Sequence, residues 1–125
     1  DVTIVSYLRT LHHALAAAEE LAEEGISAEV WDPRTLVPFD RTGLAASIKK
    51  TGRLVIAHEA PVRGGFGAEI AAWASSECFG DLKAPVLRIG AQNAPIPYAP
   101  VLENTVLPTQ DSIANEVRAF MQRAR

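Results

Sequence analysis

The segment VTIVSY, residues 2–7, sets the pattern from which the fold can be predicted. It is mostly apolar and rich in β-branched residues, which is typical of a strand buried on both faces. An amphipathic helix is predicted next, from Thr10 to Glu24 with Gly25 as its stop, and a second strand, AEVWD, follows at residues 28–32. The helix residues predicted to face the core are Leu11, Leu15, Ala18 and Ala22. A strand, a helix and another strand in this order predict a parallel βαβ unit.

Strands and helices continue to alternate along the rest of the chain. The further predicted elements are a helix over residues 41–50 that is capped by Asp40 and ended by Gly52, a strand over residues 53–58, a helix after Gly67, a strand over residues 85–89 and a helix from about Gln110. The stretch APIPYAP, residues 94–100, is too rich in proline for a helix. The alternation predicts an α/β fold of three layers, with helices on both faces of a mainly parallel sheet of four to five strands.

Composition and charge exclude several classes of protein. The 125 residues, 48% apolar and 22% charged, predict a single globular domain over residues 1–125. Twelve Lys and Arg against 15 Asp and Glu give a net charge of −3, and no basic stripe points to a nucleic-acid partner. No apolar run approaches the roughly 20 residues of a membrane helix, and Cys78 alone cannot form an internal disulfide. We therefore expect a soluble cytoplasmic domain that binds neither nucleic acid nor membrane.

A glycine-rich turn, RGGFG at residues 63–67, lies between the third strand and the helix that follows it. Free backbone amides at a helix start attract anions, so Gly64, Gly65 and Gly67 are candidates for a phosphate cradle. The spacing is neither G-x-G-x-x-G nor followed by G-K-[ST], and the loop follows the third strand and not the first. The sequence favours a structural turn that needs a positive φ, with Gly67 allowing close packing.

His58 and Glu59 come at the end of the third predicted strand, where α/β proteins often bind ligands. An imidazole and a carboxylate can act as an acid–base pair, which leaves a small α/β enzyme as one hypothesis. No nucleophile pairs with them, because Cys78 is predicted on an apolar helix face. A structural pair that is hydrogen-bonded at the strand end is the favoured interpretation.

Two other segments are candidate partner surfaces. The first predicted helix ends in acidic residues, which form either a docking patch for a basic partner or a solvated face; they are Glu19, Glu20, Glu23 and Glu24. The stiff proline-rich loop would present Ile96 and Tyr98, which suits an interface as well as packing within the chain. The residues alone thus predict an α/β domain whose role is to bind or assemble.

Several motifs, read in order, resemble one family. The matching stretches are DPRTLVPFD (32–40), similar to D-L-R-T-L-x-P-L-D; TGRLV (51–55) with HEAP (58–61), similar to T-G-R-L-V-x-x-H-E-A-P; GGFGAEI (64–70); and APV (84–86) with PIPYAP (95–100). The family is the β subunit of the thiamin-diphosphate-dependent 2-oxoacid dehydrogenase decarboxylase, of the pyruvate, branched-chain 2-oxoacid or acetoin type. The matching part is its carboxy-terminal, transketolase-C-like domain, and the resemblance covers essentially the whole chain.

The resemblance implies a role within a larger enzyme. In this family an α2β2 assembly decarboxylates a 2-oxoacid and acylates the lipoyl group of an acyltransferase. Thiamin diphosphate and magnesium lie between the α subunit and the amino-terminal pyrimidine domain of β, so the carboxy-terminal domain is expected to hold no cofactor, metal or catalytic residue and to be inactive alone. As part of a longer β subunit, it would contact its own pyrimidine domain, the α subunit, a second β subunit and the peripheral subunit-binding domain of the acyltransferase.

The sequence departs from the family pattern at three places. Leu8 follows Tyr7 where the family usually has glycine, and leucine predicts an ordinary negative φ. Lys83 stands where the family often has an acidic residue that meets the subunit-binding domain, with Asp81 two residues before it. The family domain also begins with an antiparallel edge strand before Asp1, so an unpaired edge is expected beside the second strand and the sheet order is expected to be second, first, third, fourth.

Overall fold

The computed structural model describes residues 1–123, in which strands and helices alternate up to the fourth strand and two helices follow it. In chain order the elements are β1 (Val2–Ser6), α1 (Arg9–Glu23), β2 (Ala28–Trp31), α2 (Arg41–Thr51), β3 (Leu54–Pro61), α3 (Gly67–Glu77), β4 (Leu87–Ala91), α4 (Pro100–Val106) and α5 (Gln110–Arg123). Within this range, no helix has both the length and the hydropathy needed to cross a membrane.

The four strands form one parallel sheet in the order β2-β1-β3-β4. Ile4 in the centre pairs with Val30 of β2 and with Val55 of β3. Each parallel connection places its helix on a face of the sheet. The α/β class and the expected sheet order are confirmed.

Two apolar cores lie on the two faces of the sheet and produce the three layers. On one face α1 and α5 pack through residues that include Leu21 and Val117. On the other face α2 and α3 pack through residues that include Ile48 and Ile70. All four side chains are buried, so the sheet is covered on both faces as its apolar strands require.

The prediction of which face of α1 meets the core was wrong by one residue. The buried residues are Thr10, Ala14, Ala17 and Leu21, whereas Leu15 is 45% exposed. Alanine side chains let the helix lie close to the sheet, and α5 packs along the same helix. The helix therefore turns its small alanines toward the sheet in place of Leu11 and Leu15, because small side chains allow close packing.

The cap and the stop that the sequence predicts for α2 are confirmed. Asp40 accepts a hydrogen bond from the backbone amide of Gly43 at 2.9 Å and so caps the first turn. Gly52 ends the helix with φ 74°, a left-handed conformation that glycine adopts without strain.

The bounds of β3 and β4 differ from the prediction. β3 extends to Pro61, so His58 and Glu59 lie inside the strand, and its pairing with β4 shifts register between Ala57 and Pro61. β4 begins at Leu87 and not at Pro85, because proline has no amide hydrogen to donate to the ladder.

The segment after β4 contains a helix that the sequence did not predict. Residues 94–99 are irregular as expected, but Pro100 begins α4 in the first-turn position where proline is tolerated. No residue of α4 is buried. The exclusion of helix therefore holds for residues 94–99 and fails at Pro100, and no prediction was made for residues 101–106.

The turn between β1 and α1 also contradicts the prediction. Leu8 has φ 56° and ψ −141°, so leucine occupies a positive-φ conformation that glycine would adopt freely. The expectation of an ordinary negative φ at Leu8 was wrong. The turn from β1 into α1 has the backbone geometry of a glycine turn, although leucine occupies the position.

Candidate partner-docking surfaces

His58 is fully buried between β3 and the start of α3. Its Nδ1 donates a hydrogen bond to the Ala60 carbonyl oxygen at 2.9 Å, and its ring stacks on Tyr7 with centroids 5.9 Å apart. Nε2 has no hydrogen-bond partner among the described residues. Burial lowers the pKa of His58, and the charge of Arg88 lowers it further. The site therefore holds a neutral imidazole in packing contacts.

This arrangement predicts a pH dependence of stability. The pKa of His58 lies below its ordinary value of 6.5 in the folded chain, so the unfolded chain binds more protons as the pH falls. We expect the contribution of His58 to the free energy of unfolding to be fully present above about pH 6.5. This contribution should be lost as the pH drops through the folded pKa. Chemical denaturation between pH 7 and 5 measures this, and His58→Asn should lose that part of the slope. An unchanged slope in the variant would place the protonation on another group.

His58 and Glu59 do not form the hydrogen-bonded pair that the sequence favoured. Consecutive residues of a strand point to opposite faces of the sheet, and both residues lie within β3. The histidine donates to Ala60 and not to the carboxylate. The two side chains are therefore separated, and they do not make an acid–base pair.

The glycine-rich turn is closely packed on this histidine. A Cβ at Gly65 would lie 2.5 Å from the Pro61 carbonyl oxygen, and one at Gly67 would lie 2.5 Å from His58 Cδ2. Gly64 has φ 75° and open space where a Cβ would be. Each of the three glycines thus has a local reason that needs no phosphate: a left-handed turn at one and close contact at the other two.

Several buried polar atoms without partners lie near the carboxyl ends of β1 and β3. Among the described residues, no hydrogen-bond partner is found for Ser6 Oγ, Thr10 Oγ1 or Glu59 Oε1. The chain order reverses between these two strands, which is where open α/β sheets often bind ligands. The Glu59 carboxylate would repel a bound anion, so the arrangement does not favour a phosphate or nucleotide.

Asp81 and Lys83 lie at the amino-terminal edge of the sheet, in the connection from α3 to β4. Both are exposed. The Lys83 amide donates to the Gly52 carbonyl oxygen at 2.7 Å, and the stem of the lysine lies against Gly52, which ends α2. A positive charge there complements the carbonyl end of the helix dipole. Lys83 is therefore a structured part of this edge that presents a charge to solvent.

Ile96 and Tyr98 lie at the opposite, carboxyl-terminal edge, in the proline-rich loop after β4. Ile96 is 53% exposed and the Tyr98 side chain is completely exposed. β4 separates this loop from Lys83, and its five residues span about 17 Å. The four candidate contact residues thus belong to two separate surfaces.

Two of the four glutamates at the acidic end of α1 form ion pairs within the chain. Arg118 of α5 pairs with Glu20 and also with Glu24, whose carboxylate lies 2.6 Å away. These hydrogen bonds lower the pKa of both glutamates. Arg118 follows Glu20 by 98 positions in the sequence, so no local pattern could reveal the pair. Glu20 and Glu24 therefore belong to an α1–α5 contact, which reduces the charge that the patch can offer to a basic partner.

The sequence and the fold match known proteins. Residues 1–113 match the family described as "Transketolase, C-terminal domain". The chain belongs to this family. It is 33% identical to a solved split-gene transketolase described as an inactive β4 tetramer, with a TM-score of 0.86 over 100% of this chain and 40% of that one.

Curated relatives of this transketolase C-terminal domain are β subunits of 2-oxoacid or acetoin dehydrogenases. It is 44% identical over 115 residues, 92% of its length, to the acetoin:2,6-dichlorophenolindophenol oxidoreductase subunit beta of Bacillus subtilis (strain 168). It is 44% identical over 100% of its length to the pyruvate dehydrogenase E1 component subunit beta-1, mitochondrial, of Arabidopsis thaliana. Each match covers 34% of the relative, so the chain spans about a third of these proteins.

Proposed function

We propose that this transketolase C-terminal domain is the assembly and partner-docking part of the decarboxylating component of a 2-oxoacid dehydrogenase complex. The whole component would carry out oxidative decarboxylation of a 2-oxoacid with acyl transfer to a lipoyl group. The domain would contact its own pyrimidine domain, an α subunit and a second β subunit, and would dock the subunit-binding domain of the acyltransferase. We also propose a cytoplasmic location.

One contrast carries the proposal. The histidine that could do chemistry is fully buried in packing contacts, whereas the residues proposed for partner contact are exposed. A packed domain that exposes Tyr98 and Lys83 at opposite edges of its sheet suits binding to other proteins. The β-subunit relatives supply the kind of complex in which such binding would take place.

The cofactor of the proposed parent enzyme would be held elsewhere. Among the described residues, no three His, Cys, Asp or Glu side chains form a group that could hold magnesium. The turn at Gly65 and Gly67 is filled by His58 and the Pro61 carbonyl where a bound group would need room. These residues do not fit thiamin diphosphate, and no step of the reaction is assigned to them.

Calorimetric titration tests the docking role. We expect salt-sensitive heat when the chain is titrated with an acyltransferase subunit-binding domain, because screening weakens contacts between exposed charges. Thiamin diphosphate and ADP, added separately, should give no heat. Heat with ADP and none with the subunit-binding domain would contradict the proposal and favour a nucleotide-binding protein.

The charge at position 83 should tune this docking. The resemblance predicts an acidic contact for a basic partner at this position, so Lys83→Glu should tighten binding by roughly tenfold. Lys49→Glu is the matched control, since it makes the same charge change in the last turn of α2 and should have a smaller effect. Equal tightening by both variants would show a general charge effect and contradict docking beside Asp81.

A further inference from the structure

A groove lies between the β2–α2 connection and α3, on the face of the sheet where α2 and α3 pack. Its volume of about 690 Å³ is within the range of small-molecule sites. The apolar part of its lining comes from both walls and includes Val37, Phe39, Phe66, Ile70 and Trp73. None of the four candidate contact residues lines this α3 groove, so it is a site separate from the docking surfaces.

Aromatic rings form a cluster along the α3 groove. Phe39 packs edge-to-face against both tryptophans, with its ring centroid 6.0 Å from that of Trp73 and 5.5 Å from that of Trp31. Phe39 and Trp73 are half-buried and line the groove. The faces of aromatic rings attract cations, and tryptophan does so most strongly. These rings can therefore pack on an apolar ligand body and stabilise a positive charge beside it.

The charged side chains that line the α3 groove are mainly acidic. Glu69 and Glu77 lie about one turn before and one turn after Trp73, so the three side chains share one side of α3. Both carboxylates are exposed, and within residues 1–123 neither takes part in an ion pair. Arg41 is the one basic residue of the lining. Two carboxylates against one guanidinium favour a cation over an anion.

The end of α3 strengthens this preference. Glu77 is the last residue of the helix, where free carbonyl groups carry partial negative charge, and the last turn contains no basic residue. Burial raises the pKa of the Cys78 thiol, and the negative charges of Asp81 and Glu77 raise it further. A carboxylate at this pole of a helix is unfavourable by itself. A cation bound beside Glu77 would offset that cost.

We propose that the α3 groove binds a small organic ammonium ion with an apolar body. The ammonium group would lie beside Glu77 and Trp73, and the apolar body would pack on Phe39 and Ile70. The inference does not rest on the proposed function, because it requires no contact with another protein chain. Its failure would leave the docking role unaffected.

Fluorescence titration tests the proposal, because the two tryptophans of the chain, Trp31 and Trp73, both belong to the aromatic cluster. Three probes with similar phenyl bodies differ in charge: phenethylammonium is positive, phenethyl alcohol is neutral and phenylacetate is negative. We expect phenethylammonium to change the tryptophan emission with a Kd on the order of 1 mM. The neutral and negative probes should bind roughly tenfold more weakly or not at all.

Two double variants locate the binding site. Glu69→Gln/Glu77→Gln should weaken the binding of phenethylammonium by about tenfold, with an unchanged circular dichroism spectrum. Glu19→Gln/Glu23→Gln is the matched control, because it removes two charges from exposed positions of α1, which packs on the other face of the sheet. It should leave the affinity unchanged.

Three results would overturn the proposal. The first is the absence of a saturable change in emission with phenethylammonium. The second is binding of phenethyl alcohol or phenylacetate as tight as that of phenethylammonium, which would show that the groove does not select a positive charge. The third is equal weakening by the two double variants, which would assign the effect to the net charge of the chain.

Discussion

Gly67→Ala is expected to lower the free energy of unfolding by about 3 kcal/mol. A Cβ at this position would lie 2.5 Å from His58 Cδ2 and 3.0 Å from Ile56 Cγ2. His58 is fully buried and its Nδ1 donates to Ala60, so the ring cannot move aside without breaking that hydrogen bond and its stacking on Tyr7. Urea denaturation of the variant and of the unchanged chain measures the difference.

Gly80→Ala is the matched control for this prediction. No atom lies within 4 Å of a Cβ at Gly80, and the substitution reduces the freedom of the unfolded chain. We expect it to be neutral or slightly stabilising. Equal stability of Gly67→Ala and Gly80→Ala would show that the turn does not pack on His58 as described.

Leu8→Gly is expected to raise the free energy of unfolding by about 1 kcal/mol. Leu8 has φ 56° and ψ −141°, a region that costs a residue with a side chain about 1–3 kcal/mol. Glycine removes this strain, although it also makes the unfolded chain more flexible, which offsets part of the gain. The side chain is 73% exposed, so its loss removes little packing.

Leu8→Ala separates strain from side-chain size. Alanine keeps the Cβ and thus the strain, so this variant should show little or none of the gain. Urea denaturation of both variants and of the unchanged chain measures the two effects. A destabilised Leu8→Gly would contradict the backbone conformation that the structure gives this turn.

The sequence predicted the sheet well and parts of the helical layers less well. Strands such as residues 2–6 are mostly apolar and β-branched, so the sequence alone predicts them as buried strands. The buried face of α1 depends on how closely its alanines approach the sheet, which Ala14 and Ala17 decide and periodicity cannot. α4 was missed because the prolines before it favour irregular structure, although Pro100 itself fits the first turn of a helix.

The candidate surfaces were predictable as residues but not as an arrangement. The proline loop and Lys83 could be selected from the sequence, yet only the direction of β4 places them at opposite edges. The pairing of Arg118 with Glu20 and Glu24 was equally hidden, because it requires α1 and α5 to be neighbours. Positive φ at Leu8 ran against the preference of its residue type, so no local rule could have indicated it.

The most direct test of the proposed docking role is an NMR titration of the isotopically labelled chain with the acyltransferase subunit-binding domain. The account predicts backbone amide shift changes around Asp81, Lys83 and Gly52, at the amino-terminal edge, with no change around Gly64 to Gly67. ADP should shift no amide. Changes confined to Gly64–Gly67 on adding ADP, with none on adding the subunit-binding domain, would contradict the docking role and assign the glycine turn a ligand of its own.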